Sequence, residues 1–223
     1  MIPSVERAGG ANAAGSLGDR MTNRREFLQI GIAASALPLA AQAARTSEPL
    51  DWLGAAEVPR VPLYKAVYDL RFADSVAFAR RVEGRGVAVH AIEGDMTRLW
   101  YDDLYHRWRD GAAAIAGLTA HGPMFCLERL AWDQGMRVVF RAEHVPVAGT
   151  VEHRVDGPLA MLDHARSATA ERAWGASFAD LVTRCPSGRA ELGSFAACGP
   201  ANGAAAADGE PLYTWVIAAA RGI

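Results

Sequence analysis

The sequence has few of the features that mark nucleic-acid-binding or membrane-spanning proteins. Its 23 Lys and Arg residues are balanced by 25 Asp and Glu residues, which gives a formal net charge of −2. It contains no basic patch, no lysine-rich run and no zinc-finger spacing, so we expect no nucleic-acid partner. After residue 43 no apolar stretch approaches the ~20 residues that a bilayer span requires. We therefore expect no membrane span in that part of the chain.

Familiar catalytic and cofactor motifs are missing as well. The sequence has no Gly-x-Ser-x-Gly elbow, phosphate-binding loop or His-Glu-x-x-His zinc motif. It has no Cys-x-x-Cys pair and no Cys-x-x-Cys-His for haem attachment. The run Gly84-Arg85-Gly86 precedes a predicted strand and lacks a third glycine, so it is not a dinucleotide fingerprint. The sequence predicts no metal site and leaves any cofactor unknown.

The chain has three cysteines, at positions 126, 185 and 198. In an oxidising compartment Cys185 and Cys198 could form a disulfide that closes a short loop. That pairing would leave Cys126 as an odd thiol. The sequence does not decide whether this disulfide forms.

A targeting pattern stands near the beginning of the printed sequence. Arg24 and Arg25 lie in the run Asn-Arg-Arg-Glu-Phe-Leu-Gln, and a stretch rich in Ala, Ile and Leu follows at 30–40. A small-x-small cleavage site, Ala41-Gln42-Ala43, comes next. This order resembles the twin-arginine (Tat) export signal. The resemblance implies a Tat translocase partner, transport in a folded state and a periplasmic or secreted protein. Cofactor loading before export often accompanies this route.

The signal divides the chain into segments. We interpret residues 1–20 as a disordered lead-in or upstream start, and 21–43 as a Tat-type signal peptide. Residues 44–62, with three prolines among polar residues, indicate a linker. Residues 63–223 are expected to form one domain. Because 51% of all residues are hydrophobic, the chain has enough apolar material for a substantial core.

From residue 63 onward, predicted strands alternate with predicted helices. Trp100, Leu104 and Trp108, at helical spacing, give the clearest helix pattern. Such alternation is typical of βαβ units and a parallel sheet. We therefore predict a three-layer α/β domain, with a mostly parallel sheet flanked by helices and an irregular C-terminal extension. The predicted strands of the core are 63–68, 87–92, 113–118 and 136–142, and its helices are 73–83, 97–109 and 123–134.

The remainder of the chain has weaker patterns. Residues 150–155 alternate valine with charged residues and indicate a strand. The segments 159–166 and 178–184 are compatible with helices. Residues 199–210 are rich in Gly and Ala and predict a loop, whereas 212–218 predict a final strand.

Polar residues follow each predicted strand of the core. In open parallel sheets, ligands bind beyond the carboxyl ends of the strands. We therefore expect a binding crevice there, although polar residues are also ordinary in loops. Glu93 and Asp95 have such a simple alternative, since Asp95 would cap a helix before Thr97 while Glu93 is solvated. The candidate ligand-binding residues are Arg71, Glu93, Asp95, Thr119, Gly122 and His144.

The segment 117–126 is the sharpest local pattern in the domain. Its glycines allow a close backbone approach, and the helix that follows would direct free amides at a ligand. Cys126 is predicted in the first turn of that helix, where the pKa of a thiol can be lowered. With His121 as a base, Cys126 would be a candidate nucleophile, and Asp69 completes the candidate catalytic set. The alternative is a small, buried apolar Cys126 beside Leu127 and Leu130.

Two other histidine-containing patterns give weaker evidence for a functional site. The pairs Glu143-His144 and Glu152-His153 match no zinc signature. His90 falls inside an apolar strand and is predicted to be a core histidine with satisfied hydrogen bonds.

Three functions remain open from the sequence. The leading hypothesis is an exported α/β protein that binds a small ligand at the strand ends, or that serves as an accessory subunit of an exported redox enzyme. The alternative is a small periplasmic hydrolase or isomerase that uses Cys126 and His121 with acidic residues. The third is a structural, partner-binding subunit.

Overall fold

The computed structural model describes residues 59–202 and 209–219, all of which lie in one unit, Trp52–Ile223. The predicted lead-in, the Tat-type signal and most of the predicted linker lie outside the described residues. The described residues belong to the α/β domain.

Seven strands form a single mixed sheet. They are β1 (Leu63–Asp69), β2 (Val89–Ile92), β3 (Ala114–Ala120), β4 (Met136–Val147), β5 (Thr150–Pro158), β6 (Leu192–Pro200) and β7 (Leu212–Ala219). Their order across the sheet is β2-β1-β3-β7-β4-β5-β6. β1 pairs in parallel with both β2 and β3, and every other neighbouring pair is antiparallel.

Helices cover both faces of this sheet. They are α1 (Ala73–Glu83), α2 (Thr97–Leu99), a π-helical turn (Trp100–Leu104), α3 (Tyr105–Arg109), α4 (His121–Trp132), α5 (Leu159–Thr169) and α6 (Trp174–Val182). One buried cluster contains Phe78 of α1 and Phe178 of α6. A second cluster contains Trp108 of α3 and Leu127 of α4. The predicted three-layer α/β domain is therefore confirmed.

The final predicted strand occupies the centre of the sheet. β7 lies between β3 and β4 and is antiparallel to both, so β4 keeps the direction of β1 and β3 without touching them. Both faces of β7 are apolar, so this strand can be covered on both sides. Trp215 and Ile217 belong to one core cluster, and Val216 and Ala218 belong to the other.

A glycine allows the close contact between β3 and β7. A Cβ atom built on Gly117 would lie 2.7 Å from Trp215 Cε2 and 2.8 Å from the carbonyl oxygen of Val67. The Trp215 Nε1–H donates to Thr119 Oγ1 at 3.1 Å. The indole of Trp215 therefore fills the space that a side chain at position 117 would need.

The C-terminal segment is more regular than its sequence indicates. β5 extends to Pro158, and β6 forms an edge strand that pairs with all nine residues of β5. Gly199 and Pro200, predicted as part of a loop, belong to β6. β6 contains few β-branched or aromatic residues, so its strand conformation comes from pairing with β5 and not from local propensity.

One face of the sheet is open at the β6 edge. α4 packs on β3, β7 and β4. Farther out on that face, charged β5 side chains and small β6 side chains are exposed to solvent. These residues are Glu152, Arg154, Asp156, Ser194, Ala196 and Cys198.

Among the described residues, no helix combines the length and apolar character that a bilayer crossing needs.

Candidate functional site

A cavity of about 220 Å³ lies near the carboxyl end of β1. We call it the strand-end pocket. It is bounded by the start of α1, the start of α6, strands β4 and β5, and the segments on either side of residues 203–208. Its polar lining comprises Arg71, Asp74, His144, Trp174, Asn202 and Glu210, and its apolar lining includes Phe72, Pro146, Val151 and Leu212.

An ion pair with a buried carboxylate holds Arg71 at this pocket. The Asp69 carboxylate, fully buried at the end of β1, accepts hydrogen bonds from Arg71 Nε at 3.0 Å and Nη2 at 2.7 Å. Arg71 Nη1 also lies 3.4 Å from Glu210 Oε2. The hydrogen bond to Asp69 raises the pKa of Arg71, so the guanidinium stays charged. Gly94 leaves room for this guanidinium, because a Cβ there would lie only 3.0 Å from Arg71 Cζ.

The first turn of α1 contributes an acid. Asp74 Oδ1 accepts a hydrogen bond from Asn202 Nδ2 at 3.1 Å. Burial raises the pKa of Asp74, and the hydrogen bond from Asn202 opposes this shift in part. α6 comes very close here, because a Cβ on Gly175 would lie 3.0 Å from the carbonyl carbon of Asp74. Glycine at position 175 therefore allows α1 and α6 to enclose the pocket.

Two buried histidines form the floor behind the pocket. His144 and His153 are cross-strand partners on β4 and β5, and their Nδ1 atoms are 2.7 Å apart. One Nδ1–H must donate to the other ring, and His144 Nε2 lies 2.8 Å from Thr214 Oγ1. Burial lowers the pKa of His153 to about 4. Burial, and then the neighbouring His153, lowers the pKa of His144 well below its ordinary value. Both rings are therefore neutral at pH 7.

The Trp174 indole covers His144 and brings an unsatisfied donor. The ring centroids of Trp174 and His144 are 4.2 Å apart. Trp174 is 2% exposed, and its Nε1 has no hydrogen-bond partner among the described residues. An indole N–H is a donor only, and a buried donor without a partner costs about 1–3 kcal/mol. An acceptor atom that reached Nε1 would remove that cost.

The structure brings together only part of the predicted strand-end set. Arg71 and His144 line the strand-end pocket, and Asp69 holds Arg71 in place. Glu93 and Asp95 are exposed on the neighbouring loop. Asp95 accepts hydrogen bonds from the backbone N–H and hydroxyl of Thr97, at 2.8 and 2.6 Å. It therefore satisfies the first backbone N–H of α2 from the position before the N-cap residue, Met96.

Thr119 and His121 lie apart from this pocket. Thr119 is fully buried, and its hydroxyl donates to the carbonyl of Ala120. His121, the first residue of α4, stacks on Phe125 with 5.8 Å between ring centroids. It lines a different cavity, together with Tyr213. Gly122 is exposed beside His121, and a Cβ atom added to it would have open space around it.

The predicted Cys126–His121–Asp69 arrangement is not assembled. α4 begins at His121, so Cys126 is in the second turn and not in the first. It is also exposed, which contradicts the alternative of a buried apolar thiol. At about 100° per residue, two side chains five positions apart point about 140° away from each other. Both oxygens of Asp69 are already bound by Arg71.

The cysteines are unpaired in this structure. Cys185 is buried and Cys198 is exposed on β6, and both are free thiols. Burial raises the pKa of Cys185 to about 12. The disulfide that the sequence allows between them is not formed.

Sequence reasoning missed Asp74, Trp174, Asn202 and Glu210. Asp74 opens a helix that was predicted, and its proximity to Arg71 was a usable signal. The other three residues are distant in sequence and reach the pocket only through the packing of α6 and the position of β7. No group of three or more His, Cys, Asp or Glu side chains suited to a metal ion occurs in the described part of the chain.

The fold and the pocket define a three-layer α/β protein with a small, polar, strand-end cavity. No protein-family model, curated protein or solved structure matches the chain.

Proposed function

We propose that this is an exported α/β protein that binds a small ligand in the strand-end pocket. The observation that carries the proposal is the buried Trp174 Nε1 without a partner among the described residues, in a side chain that lines a cavity. The cavity, about 220 Å³, is below the range of roughly 300–1,000 Å³ that is common for drug-sized ligands. The ligand is therefore a compact molecule.

Charge favours an uncharged or cationic ligand. Asp74 and Glu210 supply carboxyl groups to the lining, whereas Arg71, which is paired with the buried Asp69, supplies the one cationic side chain among the described residues of the lining. An anion would meet carboxylates and would have to compete with Asp69 and Glu210 for Arg71. A carbonyl, ether or hydroxyl oxygen on a neutral or cationic ligand would instead accept from Trp174. Amides, ketones and small amino alcohols have this chemistry.

The export part of the proposal depends on the resemblance of Arg24 and Arg25 to a Tat signal. It makes the Tat translocase a transient partner and the periplasm or the exterior the site of binding. A ligand bound before transport would be carried across with the folded protein. Service as an accessory subunit of an exported redox enzyme is compatible with the same pocket and would be recognised by a co-purifying protein.

The test is a binding screen on the full chain with matched small probes. Neutral amides and ketones, primary and quaternary amines, and carboxylates of the same size are titrated while tryptophan fluorescence and melting temperature are recorded. We expect neutral or cationic probes to bind and carboxylates to fail. Trp174→Phe keeps the ring packing but removes the N–H donor, and should weaken binding about tenfold, which corresponds to about 1.4 kcal/mol.

Trp132→Phe is the matched control. Trp132 is 41% exposed on α4 and lies under Arg129, away from the strand-end pocket. This variant should bind the same probes with unchanged affinity. Selective binding of carboxylates, or equal affinity of wild type and Trp174→Phe, would contradict the proposal.

A further inference from the structure

Two adjoining cavities lie on the open face of the sheet, outside the strand-end pocket. They measure about 460 and 300 Å³, and Arg141 and Asp156 line both of them. We call them together the open-face cleft. It lies beside α4, where β4 and β5 are not covered by that helix.

The larger cavity forms where β4 separates from β5. Pairing between these strands begins at Arg141 and Asp156, which are direct partners. Beyond Asp156, Gly157 and Pro158 pair only with β6, as far as the described strands extend. The register of β4 shifts at the same place, between Val138 and Phe140. The cleft is therefore part of the sheet architecture and does not depend on a loop.

Charged side chains in the cleft hold one another in place. Glu143 Oε1 accepts a hydrogen bond from the Tyr213 hydroxyl at 2.8 Å, and Glu143 Oε2 lies 3.3 Å from Arg154 Nη1. Arg141 Nη2 donates to Glu128 Oε2 at 2.6 Å. Burial, together with the bond to Glu143, raises the pKa of Tyr213 to about 12. The phenol therefore remains a proton donor over the physiological range.

These groups retain hydrogen-bonding capacity of both kinds. Arg141 and Arg154 are each bonded through one guanidinium nitrogen, and their side chains are 36% and 63% exposed, so other N–H groups remain available to a ligand. Glu143 and Asp156 are diagonal neighbours across the antiparallel pair, at positions that are about 7–8 Å apart in such ladders. Each carboxylate can accept several hydrogen bonds. The cleft thus presents separate donors and acceptors along one surface.

The existing ion pairs select against a charged ligand. An anion would lie against the carboxylates of Glu128, Glu143 and Asp156, and a cation would lie against the guanidinium groups of Arg141 and Arg154. A neutral ligand with many hydroxyl groups can bond to the unused positions while leaving both ion pairs intact. Neighbouring hydroxyls, each both donor and acceptor, match an alternation of guanidinium and carboxylate groups.

Rings border the smaller cavity and provide an apolar surface. His121 and Tyr213 line it, with 5.3 Å between their ring centroids. Phe125, 49% exposed, stacks on His121. The C–H face of a sugar ring can pack on such rings while its hydroxyls reach the polar groups. Because two cavities adjoin, the cleft has room for more than one sugar unit.

We propose that the open-face cleft is a carbohydrate-binding site that takes a short, uncharged oligosaccharide. This site is distinct from the strand-end pocket, and its occupation does not depend on the function proposed above.

The test is isothermal titration calorimetry of the full chain with maltotriose, cellotriose, xylotriose and N,N′,N″-triacetylchitotriose. We expect at least one of these sugars to bind with a Kd of about 1 mM or tighter. Asp156→Asn, an exposed change that keeps the fold, should weaken that binding at least tenfold. Arg141→Met should do the same, with circular dichroism confirming that the variant is folded.

Two control variants locate the site. Glu152→Gln lies on the same face of β5 but outside both cavities, and should leave the affinity unchanged. Trp174→Phe should also leave it unchanged, which separates this site from the strand-end pocket. Failure of all four sugars to bind at this strength would overturn the proposal. Binding that survives both Asp156→Asn and Arg141→Met would overturn it equally.

Discussion

The parallel and antiparallel halves of the sheet bury their strands differently. In β3, at the inner edge of the parallel half, all seven residues are buried. In β5, in the antiparallel half, buried and exposed residues alternate from Val151 to Gly157. A strand covered on both faces has its side chains committed to packing, whereas a strand with one open face keeps alternate positions for polar groups. The charged open-face cleft is a consequence of that second arrangement.

The two faces of the sheet also differ in how they accommodate histidine. His144 and His153 face the covered side of the antiparallel half and are buried and neutral at pH 7. His121 lies on the opposite side of the sheet and is exposed. The same residue type is therefore a structural element on one side and an accessible polar group on the other.

The largest expected effect comes from adding a side chain between β3 and β7. Gly117→Val would place methyl groups in the volume of the Trp215 indole and against the carbonyl of Val67. We expect a loss of at least about 3 kcal/mol in the free energy of unfolding, the upper part of the range for overpacked cores. Urea denaturation followed by circular dichroism measures it.

Ala196→Val provides the comparison for that variant. Ala196 is exposed on β6, and its change should alter the free energy of unfolding by no more than about 0.5 kcal/mol. Similar urea midpoints for the two variants would show that the halves are equally tolerant, contrary to the structure.

The second effect is a loss of stability in mild acid. The pKa of His153 is about 4 in the folded protein, against about 6.5 in an unfolded chain. Between these values the unfolded state binds more protons, so stability is complete above pH 6.5 and falls as the pH drops toward 4. From pH 6.5 to 5 the loss should be about 1.6 kcal/mol for His153, and His144, whose pKa is lowered as well, should add to it. Urea titrations at the two pH values measure it.

A double variant isolates the histidine contribution. His144→Gln with His153→Gln removes both titrating groups, and the difference in stability between pH 6.5 and 5 should shrink accordingly. His164→Gln on α5, outside the buried pair, should keep the wild-type difference. A wild-type protein with equal stability at both pH values would refute the assignment of these rings as neutral and buried.

The smallest effect is a labelling pattern that leaves stability unchanged. Cys126 and Cys198 are exposed, whereas Cys185 is buried with its pKa raised to about 12. Brief treatment of the folded, reduced protein with iodoacetamide at pH 8 should modify the first two thiols and spare the third. Peptide mass spectrometry identifies the modified sites. Rapid modification of Cys185 would be inconsistent with its position in the core.

Much of the secondary structure could be predicted, because the spacing of apolar residues and the positions of Gly and Pro indicate the same helix and strand boundaries. The helix at 73–83 has the predicted bounds, and the strand beginning at Leu63 is found in place. The helix predicted at 97–109 is present but is interrupted by a π-helical turn at Trp100–Leu104. The central position of β7 could not be read from alternation, because strand order is set by which faces can be buried together.

Residues of the strand-end pocket could be predicted only where a polar side chain comes directly after a predicted strand. Arg71 was found because it comes two residues after a buried strand, and the rule for strand ends applies to it. Trp174 was missed because its approach to His144 depends on how closely α6 packs against α1 near Gly175. Glu143 was noted as a polar residue after the fourth predicted strand and in a pair that matches no zinc signature. Its contacts could not be predicted, because its partners Tyr213 and Arg154 come from two other strands.

The central position of β7 also affects how the chain folds. Ile115 pairs with Ile217, a separation of roughly a hundred residues, and such long-range pairing slows folding. Until β7 is available, β2-β1-β3 and β4-β5-β6 are two sheets that each present an unpaired edge, and such edges favour aggregation. A chain truncated before Leu212 would lack the central strand of its sheet, whereas loss of an edge strand would leave the other strands paired. Because β7 is the last strand in the sequence, the two sheets cannot join until nearly all of the domain has been synthesised.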